Sequence, residues 1–76
     1  MEKYELYYQN DLIGIVEINS SIKTYKCISK NEDIFDFLKV DMNYLHPFLE
    51  SRIYNMKKFS LTQVQYQTDC YRLVKV

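Results

Sequence analysis

Glycine and proline are nearly absent from this chain, which has one of each among its 76 residues. Phosphate-binding loops need several glycines close together, so that class of nucleotide site is excluded. The composition, 47% hydrophobic and 26% charged, is typical of an ordered globular protein rather than a disordered linker. The length allows one hydrophobic core. We therefore expect a single compact domain over residues 1–76.

Residues that carry out chemistry are also scarce. The only histidine, His46, precedes the only proline, where a capping role is more typical than that of a catalytic base. Cys27 and Cys70 are far apart and lack metal-site or redox spacing, so we expect reduced, buried thiols. Asp33 and Asp36 lie where carboxylates stabilise the start of a helix. These patterns predict no catalytic residue, no metal, no cofactor and therefore no enzyme.

The chain has no net charge and no long apolar run. Ten basic residues balance ten acidic ones, so no overall field attracts nucleic acid or an anionic membrane. No hydrophobic segment approaches the roughly 20 residues needed to cross a bilayer. The first residues lack the apolar segment of a secretory signal. We expect a cytoplasmic protein.

Three β-rich runs open the chain. The first two, Lys3 to Gln9 and Leu12 to Ile18, are separated by Asn10-Asp11, which predicts a hairpin turn. The first run has one mainly polar face and is predicted to be an edge strand, whereas the second is apolar on both faces and is predicted to be central. Gly14 indicates a bulge, a close backbone approach or a plain strand glycine. A third strand is predicted over residues 22–29.

Two helices and two strands are predicted next. The "SKNE" capping box at residues 29–32 predicts a short helix that ends near Lys39. A second helix is predicted to begin at or just before Pro47 and to end at Lys57 and Lys58. Its apolar stripe comprises Phe48, Leu49, Ile53, Met56 and Phe59. Two β-rich runs around a turn at Thr68-Asp69 complete the order β-β-β-α-α-β-β. This is an α+β fold in which helices cover one face of a mainly antiparallel sheet of about five strands.

Arg52 falls inside the apolar stripe of the second predicted helix. An unpaired buried guanidinium is too costly to persist, so three interpretations stay open. The side chain either lays its stem on the core and extends its head to water, or forms a buried ion pair, or binds a ligand. Asp69 and then Asp36 are the candidate partners of a pair.

The chain also resembles a known family. "LYYQNDLIGIVEI" near the start, "PFLESRI" at the second helix and "QTDCYRLV" at the end resemble the N-terminal subdomain of HipA-type serine/threonine kinase toxins and stand-alone HipA-like proteins. The matching positions are Gly14, Pro47, Phe48, Arg52, Thr68 and Asp69. The kinase core of that family is absent. The resemblance implies a stand-alone interaction subdomain from a toxin–antitoxin or phage-defence setting.

Eight tyrosines and no tryptophan are the most unusual feature of the composition. Tyrosine is over-represented at protein interfaces. We expect Tyr7, Tyr54 and Tyr66 to be the most exposed and, with Lys57 and Lys58, to contact a partner. The predicted function is a small regulatory or inhibitory module that binds a larger enzyme.

Two alternatives stay open. A nucleic-acid-binding protein requires one continuous lysine face across Lys23, Lys26, Lys57 and Lys58. A self-associating structural domain, for example a homodimer, would use its first or last strand as an open edge.

Overall fold

The computed structural model describes residues 1–30, 38, 41, 43–66 and 70–76. Within these residues the chain forms one helix and one antiparallel sheet of five strands, so the predicted α+β class is confirmed. The elements are β1 (Glu2–Tyr8), β2 (Asp11–Asn19), β3 (Thr24–Ser29), α1 (Pro47–Lys58), β4 (Gln63–Gln65) and β5 (Tyr71–Lys75). The predicted helix before Lys39, apart from Leu38, and the turn at Thr68-Asp69 lie outside the described residues.

The strand order across the sheet is β3-β2-β1-β5-β4. The first strand is therefore the central one, and its prediction as an edge strand was wrong. In the described part of the chain only one face of the sheet carries a helix. The polar alternation of β1 reflects this difference between the two faces, and it does not depend on how many strands pair with β1. β2 lies inside the sheet, as predicted. The outer strands are β3 and β4, so neither the first nor the last strand offers an open edge.

The hairpin between β1 and β2 turns at Gln9 and Asn10, one residue before the predicted position. Both residues have positive φ, 50° and 78°, as a two-residue type I′ loop requires. A bulge follows, because Leu6 pairs with Gly14 whereas Tyr7 pairs with Leu12. The extra residue, Ile13, is fully buried. Of the interpretations left open for the only glycine, the bulge is thus the one present, and it adds an inward side chain to the core.

The core lies between the sheet and α1. Its buried side chains are Tyr4, Leu6, Ile13, Val16, Ile18, Leu38, Leu49, Ile53, Met56 and Leu73. Full burial of each large apolar side chain contributes roughly 1.5–3 kcal/mol. Tyr8, Tyr25 and Tyr71 pack against this cluster and Tyr4 belongs to it.

The helix has the predicted ends. It begins at Pro47, and the Nδ1 atom of His46 accepts a hydrogen bond from the Phe48 N–H at 3.0 Å. Lys58 is its last residue. Phe59 is the C-cap and is 62% exposed, so its placement in the buried stripe was wrong. The helix ends before Phe59 can turn inward, and Ser60 reverses the chain with a φ of 55°.

Candidate functional site

Arg52 is buried inside the helix–sheet layer. Only 3% of its surface is exposed, which excludes the interpretation in which its head reaches water. The guanidinium carbon lies 3.6 Å from the centre of the Phe48 ring and 4.4 Å from that of Tyr66, and Nη1 donates to the Phe48 carbonyl at 3.1 Å. Two aromatic faces thus stabilise the buried cation. The pair with Asp69 or Asp36 falls outside the described residues and stays a prediction.

Tyr66 connects the helix to the residues after β4. Its ring covers the Arg52 guanidinium, and its hydroxyl oxygen accepts a hydrogen bond from Asn55 Nδ2 at 2.8 Å. Tyr66 is half-buried as a result, although the sequence placed it among the most exposed tyrosines. These contacts give Tyr66 a structural role.

An exposed cluster lies at the C-terminal end of α1, and we name Tyr54, Lys58 and Phe59 the helix-end patch. Each aromatic residue is 62% exposed. The Nζ atom of Lys58 lies 5.9 Å from the centre of the Tyr54 ring and 5.5 Å from that of Phe59. Cation–π contacts at such distances order a lysine side chain on an aromatic surface. An open groove of about 400 Å³ begins at Tyr54 and is lined by Pro47, Glu50, Ser51 and Asn55.

The structure brings together only two of the five residues predicted to contact a partner. Tyr54 and Lys58 share the helix-end patch, whereas Lys57 forms an ion pair with Glu2 at 3.1 Å. Tyr7 alternates with the buried Leu6 and therefore lies on the sheet face opposite to α1. Sequence reasoning missed Phe59, although its place directly after the two lysines at the helix end was the available signal.

Tyr7 belongs to a polar cluster on that opposite face. It pairs with Arg72 across β1 and β5, and the guanidinium carbon of Arg72 lies 4.8 Å from the centre of the Tyr7 ring. The Tyr7 hydroxyl donates to Glu5 Oε1 at 3.3 Å. Tyr7 is half-buried by these neighbours rather than fully exposed.

The lysines required for a continuous basic face are separated. Lys26 pairs in register with Glu17 and alternates with Tyr25 and Cys27, which pack against the core, so it lies on the face opposite to α1. Lys57 is held by Glu2, and Lys58 lies between two aromatic rings. Lys26 therefore lies on a different face of the molecule from Lys57 and Lys58, which interrupts the four-lysine face expected of a nucleic-acid-binding protein.

The two thiols differ in their environments. Burial raises the pKa of Cys27 to about 11. Cys27 and its neighbours on β3, together with Met1, Asn19 and Asp41, line an open cavity of about 450 Å³. Cys27 is half-buried and Cys70 is exposed, so the prediction of two buried cysteines holds in part for Cys27 and was wrong for Cys70. Cys70 lies in a bend just before β5, where its side chain does not enter the core.

Tyr4 is the other described residue whose pKa is shifted. Burial, together with the neighbouring Glu2 carboxylate and its hydrogen bond, raises the pKa of the Tyr4 phenol. No cluster of three or more histidine, cysteine or acidic side chains that could hold a metal ion occurs among the described residues. In the same part of the chain, no helix has the length and apolarity to span a membrane.

Comparison with known proteins finds no matching family model, no matching curated protein and no matching solved structure. The resemblance to the HipA N-terminal subdomain therefore stays a prediction. The function has to be argued from the surfaces.

Proposed function

We propose that this chain is a small, non-enzymatic module that regulates or inhibits a larger enzyme by surface contact. The observation that carries the proposal is the helix-end patch, in which two aromatic side chains are 62% exposed on either side of a lysine. Exposed aromatic residues that cluster on a surface indicate an interaction site, whereas single exposed apolar residues are common on any protein. The resemblance of the chain to HipA-like proteins adds the setting, a cytoplasmic toxin–antitoxin or phage-defence system.

The geometry of the patch favours a protein partner over a nucleic acid. Lys58 is the only cation of the patch, and the adjoining groove contains the carboxylate of Glu50. A phosphate backbone requires several cations at regular spacing. Among the described residues of α1, the only other cation near the patch is Lys57, and Glu2 already forms an ion pair with it. A protein surface with an apolar pocket and one acidic residue complements the patch.

Affinity capture with the purified chain tests the proposal. We expect the wild-type chain to retain an enzyme from a lysate of its host, and the purified enzyme to bind the chain and to change its activity on binding. The double variant Tyr54→Ser, Phe59→Ser should weaken this binding at least about tenfold, because aromatic residues dominate interface energies. Tyr44→Ser is the matched control, since Tyr44 is also exposed (44%) but contacts His46 at the other end of α1.

Three results would contradict the proposal. Retention of nucleic acid without protein would support the first alternative. Concentration-dependent dimerisation in sedimentation experiments, with no other protein bound, would support a self-associating domain. Turnover of a small molecule by the purified chain would contradict the non-enzymatic part.

A further inference from the structure

The face of the sheet opposite to α1 forms a second surface, which we name the open face. The register of the strands places its side chains in three neighbouring rows. The first row runs Leu12, Tyr7, Arg72 and Gln65, the next runs Ile28, Ile15, Glu5, Val74 and Gln63, and the third runs Lys26, Glu17 and Lys3. The only helix of the described residues packs on the other face, against the core. The open face therefore presents one tyrosine–arginine pair beside a row of aliphatic side chains and one glutamate, with a lysine–glutamate–lysine row beyond them.

Arg72 is the cation at the middle of this face. Its guanidinium carbon lies 4.8 Å from the centre of the Tyr7 ring, which orients the guanidinium plane. Its Nε atom is buried and makes no hydrogen bond within the described part of the chain. Among the same residues no carboxylate forms an ion pair with Arg72, and the diagonal neighbour Glu5 accepts the Tyr7 hydroxyl. The terminal nitrogens of Arg72 thus remain available as donors.

We propose that Tyr7 and Arg72 anchor a carboxylate of a protein partner, on a segment whose neighbouring side chains are aliphatic. An oriented guanidinium binds a carboxylate through two parallel hydrogen bonds. Arginine and tyrosine are also the residue types that most often dominate binding energy at interfaces. Val74 in the neighbouring row, with Ile15 and Ile28 on the other side of Glu5, supplies apolar contacts next to the anchor.

The charges of the open face favour a protein carboxylate over a nucleic acid. Lys3 and Lys26 also lie on this face, but each pairs in register with Glu17, and Glu5 is the diagonal neighbour of Arg72, so a chain of phosphates would meet no uninterrupted row of cations. A single acidic side chain among aliphatic ones needs only the one cation at Arg72. The inference goes beyond the proposed function, because the open face and the helix-end patch lie on different sides of the molecule and can be occupied independently.

An NMR titration of the full chain tests the inference. The probe is a blocked pentapeptide with one central glutamate between valine and isoleucine residues, and its control is the same peptide with glutamine. We expect the glutamate peptide to shift the resonances of Tyr7, Arg72 and Gln65, and to bind at least about tenfold more tightly than the glutamine peptide. Arg72→Gln should remove this difference, and Tyr54→Ser should leave it unchanged. Tyr7→Leu, which keeps an apolar side chain on the strand, should weaken binding and serves if Arg72→Gln does not fold.

Several outcomes would overturn the inference. They are an absence of binding by the glutamate peptide, equal binding of both peptides, unchanged binding by the Arg72→Gln variant, and shifts confined to α1. Stronger shifts of the same resonances by a short single-stranded oligonucleotide would assign the open face to phosphate instead. Tyr54→Ser alters only the helix-end patch. A negative result of the peptide titration can therefore be told apart from a negative result of the affinity capture.

Discussion

The guanidinium carbon of Arg52 lies 3.6 Å from the centre of the Phe48 ring, one helical turn earlier on the same face of α1. A charged residue can occupy an apolar stripe in this way because the ring face and the Phe48 carbonyl replace part of its hydration. Tyr66 closes the other side of the guanidinium. Arg52 therefore joins the helix to the residues that follow β4.

Replacement of Arg52 by alanine is expected to destabilise the protein by about 1–3 kcal/mol, since the change removes buried contacts and leaves the Tyr66 ring without its neighbour. Arg52→Lys should recover only part of this loss, because an ammonium group lacks the planar form that stacks between two rings. Urea denaturation followed by circular dichroism measures both. Ser51→Ala, at an exposed neighbouring position, is the control, and an equal effect of Ser51→Ala and Arg52→Ala would contradict the assigned role.

Replacement of His46 by alanine is expected to lower the free energy of unfolding by about 0.5–2 kcal/mol, because the N–H of Phe48 loses its acceptor at the helix start. Since Nδ1 is the acceptor, the proton of the neutral ring lies on Nε2. Asparagine at this position supplies a side-chain oxygen to the same donor. Equilibrium unfolding of His46→Ala and His46→Asn is the measurement, and the prediction fails if the two variants are equally unstable.

Two leucines provide a matched comparison of buried and exposed positions. Leu6 on the central strand is fully buried, whereas Leu61 after the helix is 42% exposed. We expect Leu6→Ala to destabilise the protein by about 2–5 kcal/mol through the cavity it creates, and Leu61→Ala by a small fraction of that. Thermal and urea unfolding compare them directly. Similar losses for the two variants would mean that the central strand has been assigned incorrectly.

Cys70 should react with iodoacetamide far faster than Cys27 at neutral pH. The thiolate is the reactive species, and burial holds the pKa of Cys27 at about 11, whereas Cys70 is exposed. Mass spectrometry of the Cys27→Ser and Cys70→Ser variants gives each rate separately, and urea should abolish the difference. A rate for Cys27 that levels off near neutral pH would contradict its burial.

Stability should fall as the solution becomes alkaline. Burial raises the pKa of the Cys27 thiol and of the Tyr4 phenol, so the folded state retains these protons at a pH where the unfolded state has released them. The contribution of Cys27 is complete below its unfolded pKa of about 8.5 and is lost as the pH rises through about 11. Unfolding across this window should show a shallower decline for Cys27→Ala than for the wild-type chain. Parallel curves would refute the linkage.

The sequence predicted well those features that local chemistry determines. Proline at the first helical position, lysines in the last turn and a polar two-residue turn between β-rich runs each specify one local geometry, and the structure contains them at or within one residue of the expected place. Gly14 left several interpretations open, and the structure contains the bulge that was one of them.

The features that the sequence did not predict depend on distant parts of the chain. The central position of β1 follows from its pairing with β5, and the sequence of β1 does not indicate this pairing. Phe59 is a local exception: it was assigned to the core because the apolar periodicity continues past Lys58, whereas the helix ends at Lys58 and Ser60 reverses the chain with a φ of 55°. Tyr66 is half-buried because Arg52 and Asn55 of α1 contact it. The residues next to Tyr66 in the sequence do not indicate these contacts. The candidate surfaces therefore depend on the tertiary structure. Among their central residues, the sequence predicted only Tyr7, Tyr54 and Lys58.

The place of β1 between β2 and β5 also has a consequence for biosynthesis. A hairpin of residues 2–19 can form early on the ribosome, but one flank of its first strand has no native neighbour until residues 71–75 have been translated. During that interval the nascent polypeptide displays bare amide and carbonyl groups along the middle of the future sheet. A chaperone that shields this flank would raise the yield of the native form more than one that binds the helix.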